Sequence, residues 1–422
     1  MATGLFTPIL NDRTRAPHFF NGRLLTGEAM TDEQRAQHAV HELLAQGLGD
    51  GVAHGLQVEP SKEFNSIDRP VVTVKAGVAI SRRGDVMLLT ADTDVELVRP
   101  ATASAAPQRI FDACTPPQPG VYVSDQGVYL LTIAPVTVGN GLAPVSGLGG
   151  GGQSCNVKYR IDAVQFRLIQ LPVDGAVLAD VGRLQNRVAY ACFGVGQIGA
   201  FARDAFGAAT ASSTLLDQVR ATSLADCEVP LAVMHWTATG GIRFLDIWAA
   251  RRRLTSTRHA SSFVALADVR LSIAEAMILQ FQQQLAAKVQ ETIGTLAGIQ
   301  AKSFLRWMPP AGLVPIAAGN GSTGFDVHTF FTGKTWNLHQ GWTSPIYIEG
   351  GAVEPLLRQS PQYPPIDLDD REMVWLYWVH ENIRALHTGS AVKPYVVFTN
   401  ANLPFAGEPR FDRSHANYSN FL

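Results

Sequence analysis

Charge is scarce in this sequence. Lys, Arg, Asp and Glu make up 17% of 422 residues, against about 25% in an ordinary soluble domain. The net charge is −2 and the isoelectric point is near 6.6. This balance gives no electrostatic reason to expect nucleic acid or an anionic membrane surface as a partner. The shortfall suggests that more surface than usual is covered, by oligomer contacts or a larger assembly, an ordinary Gly- and Ala-rich composition being the alternative. The four cysteines, Cys114, Cys155, Cys192 and Cys227, include no CxxC pair, which excludes zinc-ribbon and thioredoxin-type chemistry. The expectation is reduced, mostly buried thiols in a protein made in a reducing cytosol, with a Cys114–Cys155 disulfide left open. No apolar run approaches ~18 residues, so no membrane span is expected. Residues 1–15 hold no basic stretch leading into an apolar core, so no signal peptide is expected. A role outside the cell would then require release by lysis or within a particle.

Catalytic motifs are missing too. "TGKT" at 332–335 resembles the end of a phosphate-binding loop, but the Gly required five residues before Gly333 is His328. His38 and His41 in "HAVHE", and His380-Glu381 before "NIR", do not complete a zinc-hydrolase HExxH. No GxSxG occurs, and Ser154 and Cys155 in "QSCN" have no His nearby in sequence. The acidic group Asp367, Asp369, Asp370 and Glu372 lacks the spacing of a calcium loop and reads as a solvated turn or helix cap. No catalytic residue, cofactor or metal is therefore expected, and the chain is read as a non-enzyme.

What is present is modular. Residues 26–48 read as a helix, capped at Thr31 with Asp32 and Glu33 in its first turn. Ala36, Ala39, Val40, Leu43 and Leu44 would form one apolar face at helical spacing, and Gly47, Gly49 and Gly51 would end it. The alternating runs around Arg83-Gly84-Asp85 read as a hairpin. Residues 1–100 are thus a helix-plus-sheet docking module. An Ala-, Pro- and Ser-rich linker covers 101–120, and a mixed α/β domain covers 121–258. Within it "GVYLLTIAPVTV" and "CNVKYRIDAVQFRLIQL" read as strands flanking a loop with four glycines at 149–152. A further hairpin turns at Thr239-Gly240-Gly241.

Residues 259–303 hold a long helix, ~60 Å for 261–301 at 1.5 Å per residue. Val264, Ala267, Leu271, Ala274, Ile278, Phe281 and Leu285 follow a heptad that fails at Lys288 and Thr292. Burial in its own domain and a self-associating coiled coil both stay open. Residues 304–422 hold 18 of the 36 aromatics and five of the seven Trp, and read as a β-rich domain. "EMVWLYWVH" is taken there as a strand, with a helix as the alternative. The fold class expected is α+β, multi-domain, with antiparallel β-rich modules and a long central helix. Trp336, Trp342, Trp375 and Trp378 could offer flat faces to a cell-surface glycan or receptor, core packing being the other reading. Arg251, Arg252 and Arg253 follow "DIWAA" and suit a protein contact, a solvated helix entry being the main alternative and phosphate contact the least favoured.

"PHFFNGRLLT" before a polar helix, then "GDGVAHGLQV", then "VTVKAGVAISRRGDVMLL", resembles proteins encoded alongside phage-tail-like contractile injection systems. "CEVPLAVMHWTATGGIRFLDIWAARRRL" and "PYVVFTNANLPFAGEPRFDRSHANYSN" are similar to the middle and end of that family. The resemblance departs at His54, where Cys or another small residue is expected. It implies a structural component of a phage tail or injection particle, at the baseplate periphery, a fibre attachment or an outer decoration. Its partners would be other particle subunits and further copies of itself. It would be made in the cytoplasm and assembled into a virion or an extracellular or cytoplasmic particle. Phe19, Phe20, Arg23 and Leu24 would be assembly contacts, packing on the module's own helix or on a neighbour. The alternative is a receptor- or carbohydrate-binding fibre-type protein using residues 304–422.

Overall fold

A computed structural model describes residues 14–98, 109–111, 114, 117–118, 120–123, 126–144, 155–194, 214–255, 263–291, 296–316, 324–332, 346–370, 374–388, 393–400 and 403. The fold is α+β, with several antiparallel sheets. Helix α1 spans Gly27–Leu48. Its cap is Thr26, whose Oγ1 accepts the Ala29 N–H at 3.1 Å. The expected cap, Thr31, lies one turn inside the helix and donates instead to the Gly27 carbonyl at 2.8 Å. Two small sheets follow: β1 (Gly51–Gly55), β4 (Gly77–Ile80) and β5 (Val86–Leu89) form one; β2 (Val58–Pro60), β3 (Val71–Val74) and β6 (Thr93–Glu96) form the other. The turn at Arg83-Gly84-Asp85 joins β4 to β5. There Ser81 N–H donates to Asp85 O and Gly84 N–H to Ser81 O, both at 2.9 Å.

The centre is β8 (Gly127–Pro144). One edge pairs with β9 (Cys155–Gln170); the other pairs first with β10 (Val229–Thr237) and then with β7 (Arg109–Phe111). Strand β11 (Gly241–Asp246) extends the sheet beyond β10. Along β8 the side chains alternate between two cores. Tyr129, Leu131 and Ile133 pack with Leu56, Val72, Met87 and Leu97 of the small sheets. Val128 and Leu130 pack with Leu184, Val188 and Tyr190 of α3 (Leu184–Phe193), below the short helix α2 (Gly175–Leu178). Period-two geometry buries both faces of one strand. The first core runs across residue 100, because β8 carries one face of it.

Cys114 and Cys227 form a disulfide, with Cα atoms 5.7 Å apart. This corrects the expectation of reduced thiols and of a Cys114–Cys155 pairing. Cys114 follows β7, and Cys227 lies between α4 (Leu215–Thr222) and β10. Both strands share one edge of β8, so the two cysteines meet over Ala134. Cys155 starts β9 on the opposite edge and is exposed; Cys192 is buried and free. Beside the disulfide, Glu228 is enclosed. It accepts from Arg167 Nε at 2.7 Å, from Thr132 Oγ1 at 3.0 Å and from the Ala225 N–H at 2.8 Å.

After the short helix α5 (Ile247–Ala250), α6 spans Phe263–Glu291. Its 29 residues make about 44 Å, so it is shorter than expected. Met277 enters the core around α3, whereas Phe281 and Leu285 enter the C-terminal core. This side of the helix is buried in its own chain. Between these apolar layers lies a chain of amides. Gln280 donates to Asp246 and to Gln284, both at 3.0 Å, and Gln284 donates to Phe304 O at 3.2 Å. The Asn186 carbonyl accepts the N–H groups of Arg306 and Trp307, both at 2.8 Å.

The C-terminal sheet has the order β13 (Ala311–Pro315), β17 (Tyr395–Asn400), β16 (Val374–Val379), β14 (Ile346–Ile348). Strand β14 runs parallel to β16. A two-stranded ladder, β12 (Trp307–Met308) with β15 (Ile366–Asp367), and the helices α7 (Val327–Phe330), α8 (Val353–Gln359) and α9 (His380–His387) complete it. Of "EMVWLYWVH", Val374–Val379 is strand and the last residue, His380, starts a helix, Glu372 and Met373 lying outside the described residues.

Two predictions follow from this packing. The denatured, unreduced chain should titrate as two free thiols, rising to four after reduction. Reduction should lower unfolding stability by about 2–4 kcal/mol; four thiols before reduction would contradict the cross-link. Asp246 is fully buried, and burial lifts its carboxyl above the ordinary value of 3.8, opposed by hydrogen bonds from Gln280, Ala249 and Gln185. A raised carboxyl binds its proton more tightly in the folded chain. Its contribution to stability is complete below the unfolded pKa and is lost as pH rises through the folded one. Asp246→Asn should flatten stability across that interval in urea titrations at a series of pH values, whereas an unchanged slope would contradict the shift.

Candidate docking surface

The segment before α1 is a hook built on one glycine. Gly22 has φ +89°, and the Arg23 N–H donates to Phe20 O at 3.1 Å. This closes a four-residue turn that needs a residue tolerant of positive φ at its third position. Arg23 ties the hook together. Its guanidinium donates to the His18 carbonyl and lies 5.9 Å from the centre of the Phe19 ring. Phe20 lies 6.0 Å from the His18 ring. These bonds leave the large apolar groups outside. Phe20 is 61% exposed and Leu24 82%, with Phe19 and Leu25 also open.

Helix α1 continues this surface. Its buried residues are small, chiefly Ala29, Ala36 and Ala39. Val40, Leu44 and Leu48 form an i, i+4, i+8 ridge on the flank beside them, with Leu43 and Met30 also open. Leu44 is 65% exposed and Leu48 67%. Of the apolar face expected from the spacing, Ala36 and Ala39 are buried, whereas Val40, Leu43 and Leu44 are exposed. The C-terminal half of α1 is seated on the β4–β5 turn. Gln46 Nε2 donates to Arg83 O, and Gly84, at φ +91°, lies so close to the Glu42 carbonyl that a side chain would collide. The aromatic hook at the N-terminal end of α1 and this ridge at its C-terminal end are two apolar patches, separated by the polar turns of residues 31–39.

The other singled-out residues are placed differently. Arg251 is buried, 5.6 Å from the Trp248 ring centre. Arg252 donates to the carbonyls of Trp248 and Arg251, at 2.7 Å each, and lies 5.0 Å from the Phe193 ring centre. Burial pulls its guanidinium down to about 10. Arg253 is exposed and pairs with Glu275 at 3.1 Å. Arg252 thus caps α5, Arg251 lies buried beside Trp248, and Arg253 stands exposed at the surface. Trp375 is 3% exposed, inside the C-terminal core, so it offers no face to a ligand. Trp378 is half-buried against the same domain. Trp336, Trp342 and the "TGKT" glycine and lysine lie outside the described residues, as do Ser154 and the glycines at 149–152. Asp367 and Asp369 pair with Arg306, and Asp369 also with Arg183 at 2.9 Å, making an ion-pair seam between domains.

Sequence reasoning missed Met30, Leu25 and Leu48. The spacing of Ala29, Ala36 and Ala39 is the signal that marks the covered strip instead. Among the described residues no group of three His, Cys, Asp or Glu is placed to hold a metal ion. A groove of about 330 Å³ over β9 is lined by Glu96, Gln165 and Arg167, and the Arg167 guanidinium there is engaged by Glu228. No described helix is long and apolar enough to cross a membrane. Compared with models of known protein families and with curated proteins, the sequence matches none.

Leu44→Ser and Leu48→Ser should leave stability within about 0.5 kcal/mol of wild type, as surface substitutions do. They should also shorten retention on a hydrophobic-interaction column. A loss of about 2 kcal/mol or more would instead place these residues in a core.

Proposed function

We propose that this chain is a structural subunit of a phage-tail-like contractile injection particle, working through contacts with other polypeptides and making no bond of its own. The observation that carries the reading is the set of exposed apolar side chains between Phe19 and Leu48. Clusters of exposed large apolar side chains at both ends of one helix mark an interaction site, and burying them would contribute roughly 1 kcal/mol or more for each large side chain. The hook is ordered by its own turn and by Arg23, so little conformational entropy is lost on docking. The Cys114–Cys227 cross-link suits a particle that leaves the reducing cytosol.

The test is recovery of the full chain with the particle. Tagged wild type should co-sediment with the sheath and tube subunits made in the same cells. The variant Phe20→Ser/Leu44→Asp, with unchanged circular dichroism, should be lost from that fraction. Equal recovery of the variant would remove this surface from assembly, and absence of the wild-type chain from the particle would end the reading.

A further inference from the structure

The disulfide joins two parts of the chain that are held very differently. Cys227 lies on the firm side. It precedes β10, whose nine residues pair with β8 along one edge and with β11 along the other. The turn around it is closed twice: the Glu228 carboxylate accepts the Ala225 N–H at 2.8 Å, and the Glu228 N–H donates to Ala225 O at 3.0 Å. Cys114 lies between β7 and β8, where the chain meets the sheet at separate points. Strand β7 meets β8 through two residue pairs, Arg109 with Val138 and Phe111 with Thr137, and the register is irregular between them. Gln118 O accepts from Arg167 Nη1 at 2.6 Å. The Val121 N–H donates to Leu168 O at 3.0 Å, and the Val123 N–H to Leu97 O at 2.9 Å.

These points trace a strap. It begins with β7 on the β10 edge of β8, and Cys114 packs with Ala134. Arg167 stands opposite Thr132, and Thr132, Ala134 and Arg167 share one face of the sheet. Val121 then reaches the outer edge of β9 at Leu168. The strap therefore crosses this face from edge to edge. Beneath it lies the ion pair of Arg167 and Glu228, both buried. Arg167 also donates to Ser223 O at 2.6 Å, so it bridges the strap and the firm side. Gly120 approaches the Arg167 side chain so closely that a Cβ would collide with it. Pro116, Pro117 and Pro119 carry no N–H, so between Cys114 and Val121 the backbone has few donors to offer the sheet. Val123 is buried in the first core and fixes the far end.

We propose that the Cys114–Cys227 bond is a redox latch on this strap, closed when oxidised and open when reduced by a dithiol. In the exchange the two sulfurs of the dithiol join and the protein S–S bond breaks. Two electrons and two protons pass to the protein, leaving Cys114 and Cys227 as thiols. Without the bond, the strap between β7 and Val123 rests on single hydrogen bonds that water can replace at little net cost. Opening bares Leu168 O on the outer edge of β9 and hydrates the Arg167–Glu228 pair. The firm side stays in place, because β10 keeps both neighbours. A reducing compartment holds the open form and an oxidising one the closed form. The device belongs to the free chain and does not depend on the particle it joins.

Thiol labelling of the full chain tests the latch, because exposed Cys155 and buried Cys192 supply the two limits. After reduction with dithiothreitol in the absence of denaturant, iodoacetamide should modify Cys114 about as fast as Cys155, while Cys192 stays unmodified. Cys114 protected as well as Cys192 would mean that the strap stays shut without its bond, and would overturn the proposal. Modification of Cys192 together with Cys114 would mean global unfolding and would overturn it equally, as would a bond that resists dithiothreitol in the folded chain. The Cys114→Ala/Cys227→Ala variant reads the open form without reductant. Its peptide spanning 109–122 should exchange amide hydrogens at least roughly tenfold faster than in the oxidised wild type, as local opening requires, with β10 unchanged. Equal exchange over 109–122 would count against the latch.

Discussion

The molecule is organised by one strand that has no solvent face along its first half. From Gly127 to Ala134 every residue of β8 is buried, and its two edges carry β9 and β10. The small N-terminal sheets pack on one side of it and the α3 layer on the other. Its hydrogen bonds and its alternating side chains therefore fix where both layers stand. A slip of one residue would exchange Tyr129, Leu131 and Ile133 with Val128 and Leu130 and mismatch both cores at once. The same ladder, carried past the cores without a change of register, continues as an exposed ribbon.

The C-terminal domain is held by polar groups as much as by apolar ones. Asn186, Gln280, Gln284 and Asp246 satisfy backbone and side-chain partners between two apolar clusters along α6. The Arg183, Arg306, Asp367 and Asp369 pairs close the outer rim of the same junction. Directional bonds of this kind specify one orientation, whereas apolar contact alone tolerates several. Helix α1 contrasts with this. It rests on the β4–β5 turn through Gln46 and the close approach at Gly84 and keeps its larger side chains outside. The chain is thus firm at its middle and open at two places on its surface.

Much of the fold was legible in the sequence because the signals were local. The Arg83-Gly84-Asp85 turn stands between alternating runs, and only a residue free to take positive φ fits at Gly84 against the Glu42 carbonyl. The β9 alternation marked a long strand. "VWLYWV" hid its period, since β16 lies between β14 and β17 with five of six residues buried; burial on both faces erases the polar half of the pattern. The exposed apolar residues around α1 were half legible. Phe19 and Phe20 were noticed, but a helical wheel shows where the apolar residues lie, not which flank the rest of the chain covers. The alanine strip decided that. The disulfide was not legible, because Cys114 and Cys227 meet only through the shared edge of β8. Arg251 and Arg252 looked like a surface cluster because adjacency in sequence conceals the C-terminus of α5, whose carbonyls Arg252 satisfies while Arg251 lies buried beside Trp248.

The central claim is that the surfaces this chain leaves open are completed by other polypeptides. Amide hydrogen exchange, read by mass spectrometry on the free chain and on the chain recovered in its assembly, tests it most directly. The account predicts slowed exchange in the assembled state at residues 19–48, with the β8 and β16 amides equally slow in both states. Unchanged exchange in that segment, or new protection confined to the interior, would contradict it.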